Sequence, residues 1–273
     1  MKAAKRGGLY VLLGLGVLVA ATPYLWMISS SFKDQVEIFA FPPTLIPRSP
    51  TLANFSQVMD RLPLALIAFN SAFVSLGVTG LALFFGSLAG YAFARLKFVG
   101  REFLFTLALF TMMFPTILLL IPRFILIKQM GLVGKYPGLI LPFAVSGLSI
   151  FLFRQFFALI PGDLRDAAIM DGCSELGVLF RVMLPLSKPV FVTAGIFVFM
   201  DTWNDFLWPM VVTMGHPELM TMPVGLAFFS QSYVTYWGAS MAMATFFTVP
   251  VVVIYLFFQR YFVESIALAG LKG

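Results

Sequence analysis

The sequence predicts an all-α polytopic membrane protein with six transmembrane helices. Hydrophobic residues make up 60% of the 273 positions and charged residues 11%, and mean hydropathy is +0.95. A soluble domain carries about 45–50% apolar and about 25% charged residues. Apolar runs of about 20 residues, enough to cross the ~30 Å hydrocarbon core, recur along the chain. Lys and Arg collect between alternate runs, as they do when they orient spans. No long polar stretch exists, which excludes an aqueous domain of any size. The net charge of +6 belongs to the membrane flanks, and nucleic acid is not an expected partner. Cys173 is the one cysteine, so the fold needs no internal disulfide.

Span 1 is expected from about Leu9 to Ser29. It is long enough to cross, and no small-x-small cleavage site marks it as a removed signal. The loop from Lys33 to Leu62 carries four prolines and Asn54-Phe55, and reads as an ordered external cover. Residues 1–68 therefore form an N-terminal span plus loop, and 69–273 the core. Span 2 is expected at about Phe69–Phe93 and span 3 at about Phe103–Ile121, broken by Pro115. Phe124–Met130 is expected as a short helix in the membrane plane. Spans 4, 5 and 6 follow at about Tyr136–Phe156, Pro189–Met210 and Ala239–Phe262. With the N-terminus inside, 12 of the 18 Lys and Arg lie inside and 6 outside, so both termini are expected in the cytoplasm. A membrane-plane helix after span 3 leaves Arg123, Lys128 and Lys135 outside.

Between spans 4 and 5, at about 161–188, lies a polar island. Arg165, Asp166, Asp171, Glu175, Arg181 and Lys188 crowd between flanks almost free of charge. A bilayer would penalise each by roughly 2.5–3.5 kcal/mol, so water and a partner are expected here. Pro161-Gly162-Asp163 predicts a helix start, with Asp163 as a cap and an acid for the dipole. Leu164, Ala167, Ala168 and Asp171 follow at helical spacing, and the two alanines keep a surface flat for close approach. Gly172 predicts a turn. Ser174 is expected to cap a second helix ending at Leu184, with Pro185 and Pro189 as its stops. The product is a helix–turn–helix roughly parallel to the membrane.

Asp166-Ala167-Ala168, three residues, Gly172, nine residues, Val182, one residue and Leu184-Pro185 resemble the EAA motif of bacterial ABC importer permeases. Asp166 stands where that motif has Glu, and Val182 where it has Ile. Further resemblance runs nearly the full length, through Pro23-Tyr24-Leu25-Trp26-Met27, Asn54-Phe55, Asn70-Ser71, Tyr91-Ala92-Phe93-Ala94-Arg95-Leu96, Ile121-Pro122, Gly131-Leu132, Trp203-Asn204, Met222-Pro223-Val224-Gly225-Leu226 and the ending Ala269-Gly270-Leu271-Lys272-Gly273. The chain is identified as a member of the carbohydrate branch of these permeases, the family of the smaller maltose permease subunit. That resemblance implies the type I importer (MetI-like) fold and an inner-membrane location. It also implies a second homologous permease, two ATPase subunits that hold ATP and magnesium, an external solute-binding protein and a sugar-like cargo. It makes the island a coupling helix, and it implies that Gly270, Lys272 and Gly273 touch the ATPases. The chain lacks a Gly-x-x-x-x-Gly-Lys-Ser/Thr loop, so ATP hydrolysis is expected on a separate chain.

Asp201, Trp203, Asn204 and Asp205 are candidates for the cargo pathway. Asp201 and Asp205 are four apart, on one helical face, and Asp201 falls a little beyond the membrane midplane. Intramembrane acids are functional candidates, and acids, amides and flat aromatics such as Trp203 and Trp208 suit a polyhydroxylated ligand. The same groups can instead hydrogen-bond between helices or to a sister subunit. Tyr233, Tyr236 and Trp237 read as an interfacial belt or as a contact for cargo or binding protein. His216-Pro217-Glu218 lies in an external loop, solvated or reaching toward the binding protein as the resemblance implies. No cofactor is expected in this chain, and no cluster has metal-ligand spacing. Two rival classes remain: a membrane-embedded enzyme using Asp201 and Asp205, and a secondary transporter, although no internal repeat is visible.

Overall fold

The computed structural model describes the backbone of residues 2–230 and 236–270, and the side chains of 9–229 and 236–257. Among the described residues the secondary structure is helical, with no strand. The main helices are α1 (Lys2–Ser31), α2 (Ala53–Arg61), α3 (Leu64–Arg95), α4 (Arg101–Met113), α5 (Leu120–Gln129), α6 (Gly147–Leu159), α7 (Gly162–Met170), α8 (Glu175–Val178), α9 (Lys188–Trp203), α10 (Leu207–Val212) and α11 (Trp237–Gly270). The chain divides into two units, Met1–Ile67 with Val224–Val252, and Ala68–Pro223 with Val253–Gly273.

The first unit is organised around the chain's return from α1. Lys33 is fully buried; its Nζ donates to the Thr44 carbonyl and stands 4.5 Å from the Trp26 ring centroid. A buried ammonium is tolerable only with such partners. Asn54 Nδ2 donates to the carbonyls of Ser31 (2.9 Å) and Lys33 (2.7 Å). Phe55 packs between Phe32 and Phe246. The proline-bearing loop is therefore ordered, as the sequence implies.

The second unit is organised around α3. Cβ atoms at Gly86 and Gly90 would come within 2.6 Å of Ser149 Cβ and 2.5 Å of Phe153 Cβ, so only glycine admits α6 this close. Small residues four apart are a common membrane device for backbone contact. Two buried clusters flank this contact. One gathers Tyr91, Phe153, Phe157, Ala168, Val178, Leu179 and Met183; the other gathers Val74, Val78, Ile127, Leu139, Trp208 and Val212.

Leu9–Ser31, Leu64–Arg95 and Trp237–Phe257 are each long and apolar enough to cross a membrane, and three bent helix pairs bring the candidates among the described residues up to six. One bend falls at the break expected at Pro115, and the others depart from the expected straight spans. Arg101–Met113 and Thr116–Gln129 meet at 97°, because Phe114 and Pro115 are both extended. Pro lacks an N–H and excludes its predecessor from helix. The short helix expected at Phe124–Met130 is the later part of α5, which ends at Gln129 and runs nearly at right angles to α4. Tyr136–Phe143 and Gly147–Leu159 bend by 44°. Span 5 was expected to continue to Met210, but α9 ends at Trp203 and α10 starts at Leu207. The ring of Pro209 would clash with the Asp205 carbonyl in a continuous helix, and Asn204 Nδ2 bonds back to the Met200 carbonyl at 2.6 Å.

Candidate functional site

The island is a compact helix–turn–helix standing on a buried base. α7 starts after Pro161, which makes no side-chain cap; Asp163 sits one residue inside the first turn. The expected Asp163 cap is thus corrected: the helix begins at Gly162, so Asp163 lies within its first turn, where the acid still faces the positive end of the dipole. The helix closes in a Schellman arrangement. Gly172 N–H donates to the Ile169 carbonyl and Cys173 N–H to the Ala168 carbonyl, both at 2.9 Å. Gly172 has φ +85°, and a Cβ there would touch nothing within 4 Å, so the glycine serves backbone conformation, not internal space. Ser174 Oγ accepts from Gly177 N–H at 3.2 Å and caps α8, as its position implies.

The second arm continues beyond its expected end. A wide π-type turn, Leu179–Met183, leads into Leu184–Leu186, and Pro185 lies within that last segment. The widened turn sits where a regular helix would clash with the proline ring. Pro189 does not stop the arm either, because it sits in the first turn of α9. Glu175–Leu186 meets α9 at 82°.

The face of the island divides the paired alanines. Asp166, Ala167, Asp171 and Gly172 are exposed, whereas Ala168 is buried in the cluster with Val178 and Met183. The expectation that both alanines flatten one outer surface is corrected: a 100° step per residue sends them to different faces. Met170 (88% exposed), Leu176 (61%) and Phe180 (48%) add apolar surface beside the acids.

An ion network joins the two arms. Arg165 bonds both oxygens of Glu175 and, at 3.1 Å, Asp166 Oδ1. Tyr91 of α3 donates to Glu175 Oε2 at 2.5 Å. Burial raises the Glu175 carboxyl, but the bonds from Arg165 and Tyr91 and the Arg165 charge outweigh it and hold it below the usual carboxylate range. Arg95 donates to the carbonyls of Phe157 and Ile160 at the end of α6. Sequence spacing placed Arg165 and Glu175 in the island without pairing them and gave Tyr91 no part there.

The second site is a cavity of about 570 Å³. Arg123, Met200, Asp201, Asn204, Asp205 and Trp208 line it, with Thr116, Leu120 and Phe143. The break after Trp203 puts Asp201 on the last turn of α9 and Asp205 in the joint, where Asp205 Oδ1 accepts from Trp208 N–H at 3.3 Å. Trp208 Nε1 donates to the Gly138 carbonyl at 3.2 Å. Trp203 is not among the lining residues: it is 2% exposed and stacks on Phe199 at 5.6 Å. Arg123, read from sequence as a loop charge, lies 4.5 Å from the Phe143 ring centroid and lines the same space as both acids.

Among the described residues no group of three or more His, Cys, Asp or Glu has metal-site geometry. His216 Nδ1 lies 3.1 Å from Glu218 Oε1. Their segment is tied down by Asn70, whose Nδ2 donates to the carbonyls of Glu218 and Met220. Gly270 is the last described residue of α11, and Lys272 and Gly273 lie outside the described residues, as does Tyr233. Trp237 packs edge-on against Phe39, and the Arg61 guanidinium stands 4.5 Å from the Tyr236 ring centroid.

Residues 82–267 match the family model described as "Binding-protein-dependent transport system inner membrane component". The chain is 37% identical to the arabinooligosaccharides transport system permease protein AraQ of Halalkalibacterium halodurans, covering 93% of this chain and 92% of that one. It is 36% identical to the sulfoquinovosyl glycerol transport system permease protein SmoH of Agrobacterium fabrum (92% and 88% covered). Identity to the trehalose/maltose transport system permease protein MalG of Thermococcus litoralis is 32% (96% and 97%). In fold it is similar to a chain of a bacterial ABC transporter that imports the acidic polysaccharide alginate, with a TM-score of 0.81 over 96% of this chain and 98% of that one, at 24% identity.

Proposed function

From a chain that belongs to the family of binding-protein-dependent transport system inner membrane components, we infer a permease subunit of an ABC importer for a carbohydrate or carbohydrate-like solute. Its partners are a solute-binding protein and an ATPase. The relatives named above are transport permeases, which disfavours a membrane enzyme built on Asp201 and Asp205.

The finer assembly is a pair of homologous permeases on two ATPase subunits, which hold the ATP and magnesium. Both termini and the island face the cytoplasm. There residues 161–188 dock on the ATPase, with Asp166, Ala167, Asp171 and Gly172 on the contact face and Leu184-Pro185 closing the second arm. The observation that carries this reading is the island's two-sided construction: exposed acids and Met170 outside, Ala168, Val178 and Met183 buried beneath. A partner's push on such a piece moves it as a body, and 82° at its junction with α9 gives the push a lever. The cavity at Asp201, Asn204 and Asp205 forms part of the cargo route. Its carboxylates and amide suit hydroxyl groups, and the Trp208 and Phe143 faces suit sugar rings. Trp203 supports this route from the core. The tail at Gly270, Lys272 and Gly273 contacts the ATPases.

The test is reconstitution with the genetically neighbouring permease, ATPase and binding protein. Uptake that depends on ATP and on all four proteins is expected. Uptake that persists without the ATPase contradicts the reading.

A further inference from the structure

α3 holds something at both ends. At one end the Tyr91 hydroxyl bonds Glu175 of the island at 2.5 Å, and Arg95 holds the carbonyls of Phe157 and Ile160 that lead into it. At the other end Asn70 is fully buried, and its Nδ2 donates to the carbonyls of Glu218 and Met220, both at 2.9 Å. Tyr136 fixes the Asn70 amide by donating to its Oδ1 at 2.6 Å, and Met222 N–H donates to Ser71 Oγ at 2.7 Å. Asn70 and Tyr91 are 21 residues apart, about 32 Å along a helix, which matches the ~30 Å hydrocarbon core. The helix is unbroken over that length and is backed by α6 through Gly86 and Gly90.

We propose that α3 is a transmission strut: Tyr91 links it to the island, Asn70 and Tyr136 link it to the 216–222 segment, and a displacement of one is delivered to the other. The proposal rests on the coupling role of the island. The Tyr91 hydroxyl and the Asn70 amide are donors on buried residues, so their bonds to a carboxylate and to two carbonyls are stiff attachments, because breaking them leaves the buried donor unsatisfied. A continuous helix between two such attachments moves as a rod. The external segment then follows the nucleotide state of the ATPase, and the reverse holds by linkage. Tyr91, Asn70 and Tyr136 are positioning residues and touch neither nucleotide nor cargo.

The experiment places a spin label at Met214, which is 70% exposed beside the 216–222 segment, after Met214→Cys in a Cys173→Ser background. The assembled transporter is trapped with Mg-ATP and vanadate, and the change in the label's spectrum is measured. Tyr91→Phe and Tyr136→Phe keep each ring and remove only the hydroxyl. Each is expected to cut the spectral change about fivefold while the amount of bound ATPase stays as before, the effect of losing one strong hydrogen bond. The double variant is expected to be no worse than the poorer single, because both interrupt one path. A spectral change that survives both single variants overturns the strut. So does a loss that tracks loss of bound ATPase, since Tyr91 then serves docking alone. No spectral change in the background protein itself sinks the coupling role of the island, and the strut with it.

Discussion

The island and the cavity both keep charge in a chain that is 60% hydrophobic, but they hold it in different ways. In the island the charges are mutual partners: Arg165 joins Glu175 and Asp166, and the remaining acids face outward. The backbone beneath is closed on itself by a Schellman turn and the Ser174 cap. In the cavity the backbone is interrupted, and the side chains lean on it: Asn204 on the Met200 carbonyl, Asp205 on the Trp208 N–H. The docking role proposed for the island needs a rigid body that can be pushed. The passage proposed at the cavity needs polar groups left available to a transient guest. The difference predicts that island substitutions disturb energy coupling, whereas cavity substitutions disturb handling of the cargo.

The largest expected effect is at Gly172. A left-handed conformation costs a residue with a side chain roughly 1–2 kcal/mol, and Leu adds bulk on the proposed contact face. Gly172→Leu is expected to reduce ATPase co-purification and uptake by tenfold or more, on the order set by that strain plus lost contact. Gly172→Asn, which tolerates this conformation better, should retain much of both. Equal behaviour of the two variants in a pull-down would remove the conformational argument.

Next comes Asn204→Leu. It should change the apparent affinity or maximal rate of uptake about three- to tenfold, the scale of one or two hydrogen bonds, with the ATPase still bound. If bound ATPase falls while transport per complex holds, the separation of the two regions fails.

Asp166 should show a smaller, graded effect. Asp166→Lys sets a second cation beside Arg165, whereas Asp166→Glu keeps the charge. A few-fold lower uptake for Lys than for Glu is expected, since exposed charge pairs are worth at most ~1 kcal/mol. Identical rates argue against a charged contact.

The smallest effect is with pH. The Glu175 carboxyl is held below its usual range, so its contribution to stability is present above the unfolded value of about 4.3 and is lost as pH falls through the folded value. Melting curves between pH 8 and 6 should therefore show no difference between wild type and Glu175→Gln in their pH dependence. A slope appearing in that window only in the wild type would contradict this assignment.

Much of this is legible in the amino-acid sequence. The apolar runs located the spans, and Gly172 and Ser174 mark a turn and a cap through backbone chemistry that acts locally. Pro115 likewise announced a break, although not one of 97°. Pro209 carries the same signal, but the apolar run continues through it to Met210 and conceals the joint at Asn204–Phe206. Which of Ala167 and Ala168 faces outward depends on what packs beneath, and the spacing of small residues does not contain it. The pairing of Tyr91 with Glu175 spans 84 residues, beyond any local pattern. Arg123 reads as a loop charge by its place in the charge pattern, which does not contain the fact that α5 brings it to the cavity beside Asp201 and Asp205. Gly86 and Gly90 were readable as a small-residue pair for helix contact.

The most direct measurement is photocrosslinking from the island in the assembled transporter. A photoreactive amino acid at Met170, which is 88% exposed, should crosslink to the ATPase subunit, and the same probe at Thr116, in the cavity lining, should not. ATPase crosslinks absent from Met170 in a complex that still imports its cargo would contradict the coupling role assigned to residues 161–188.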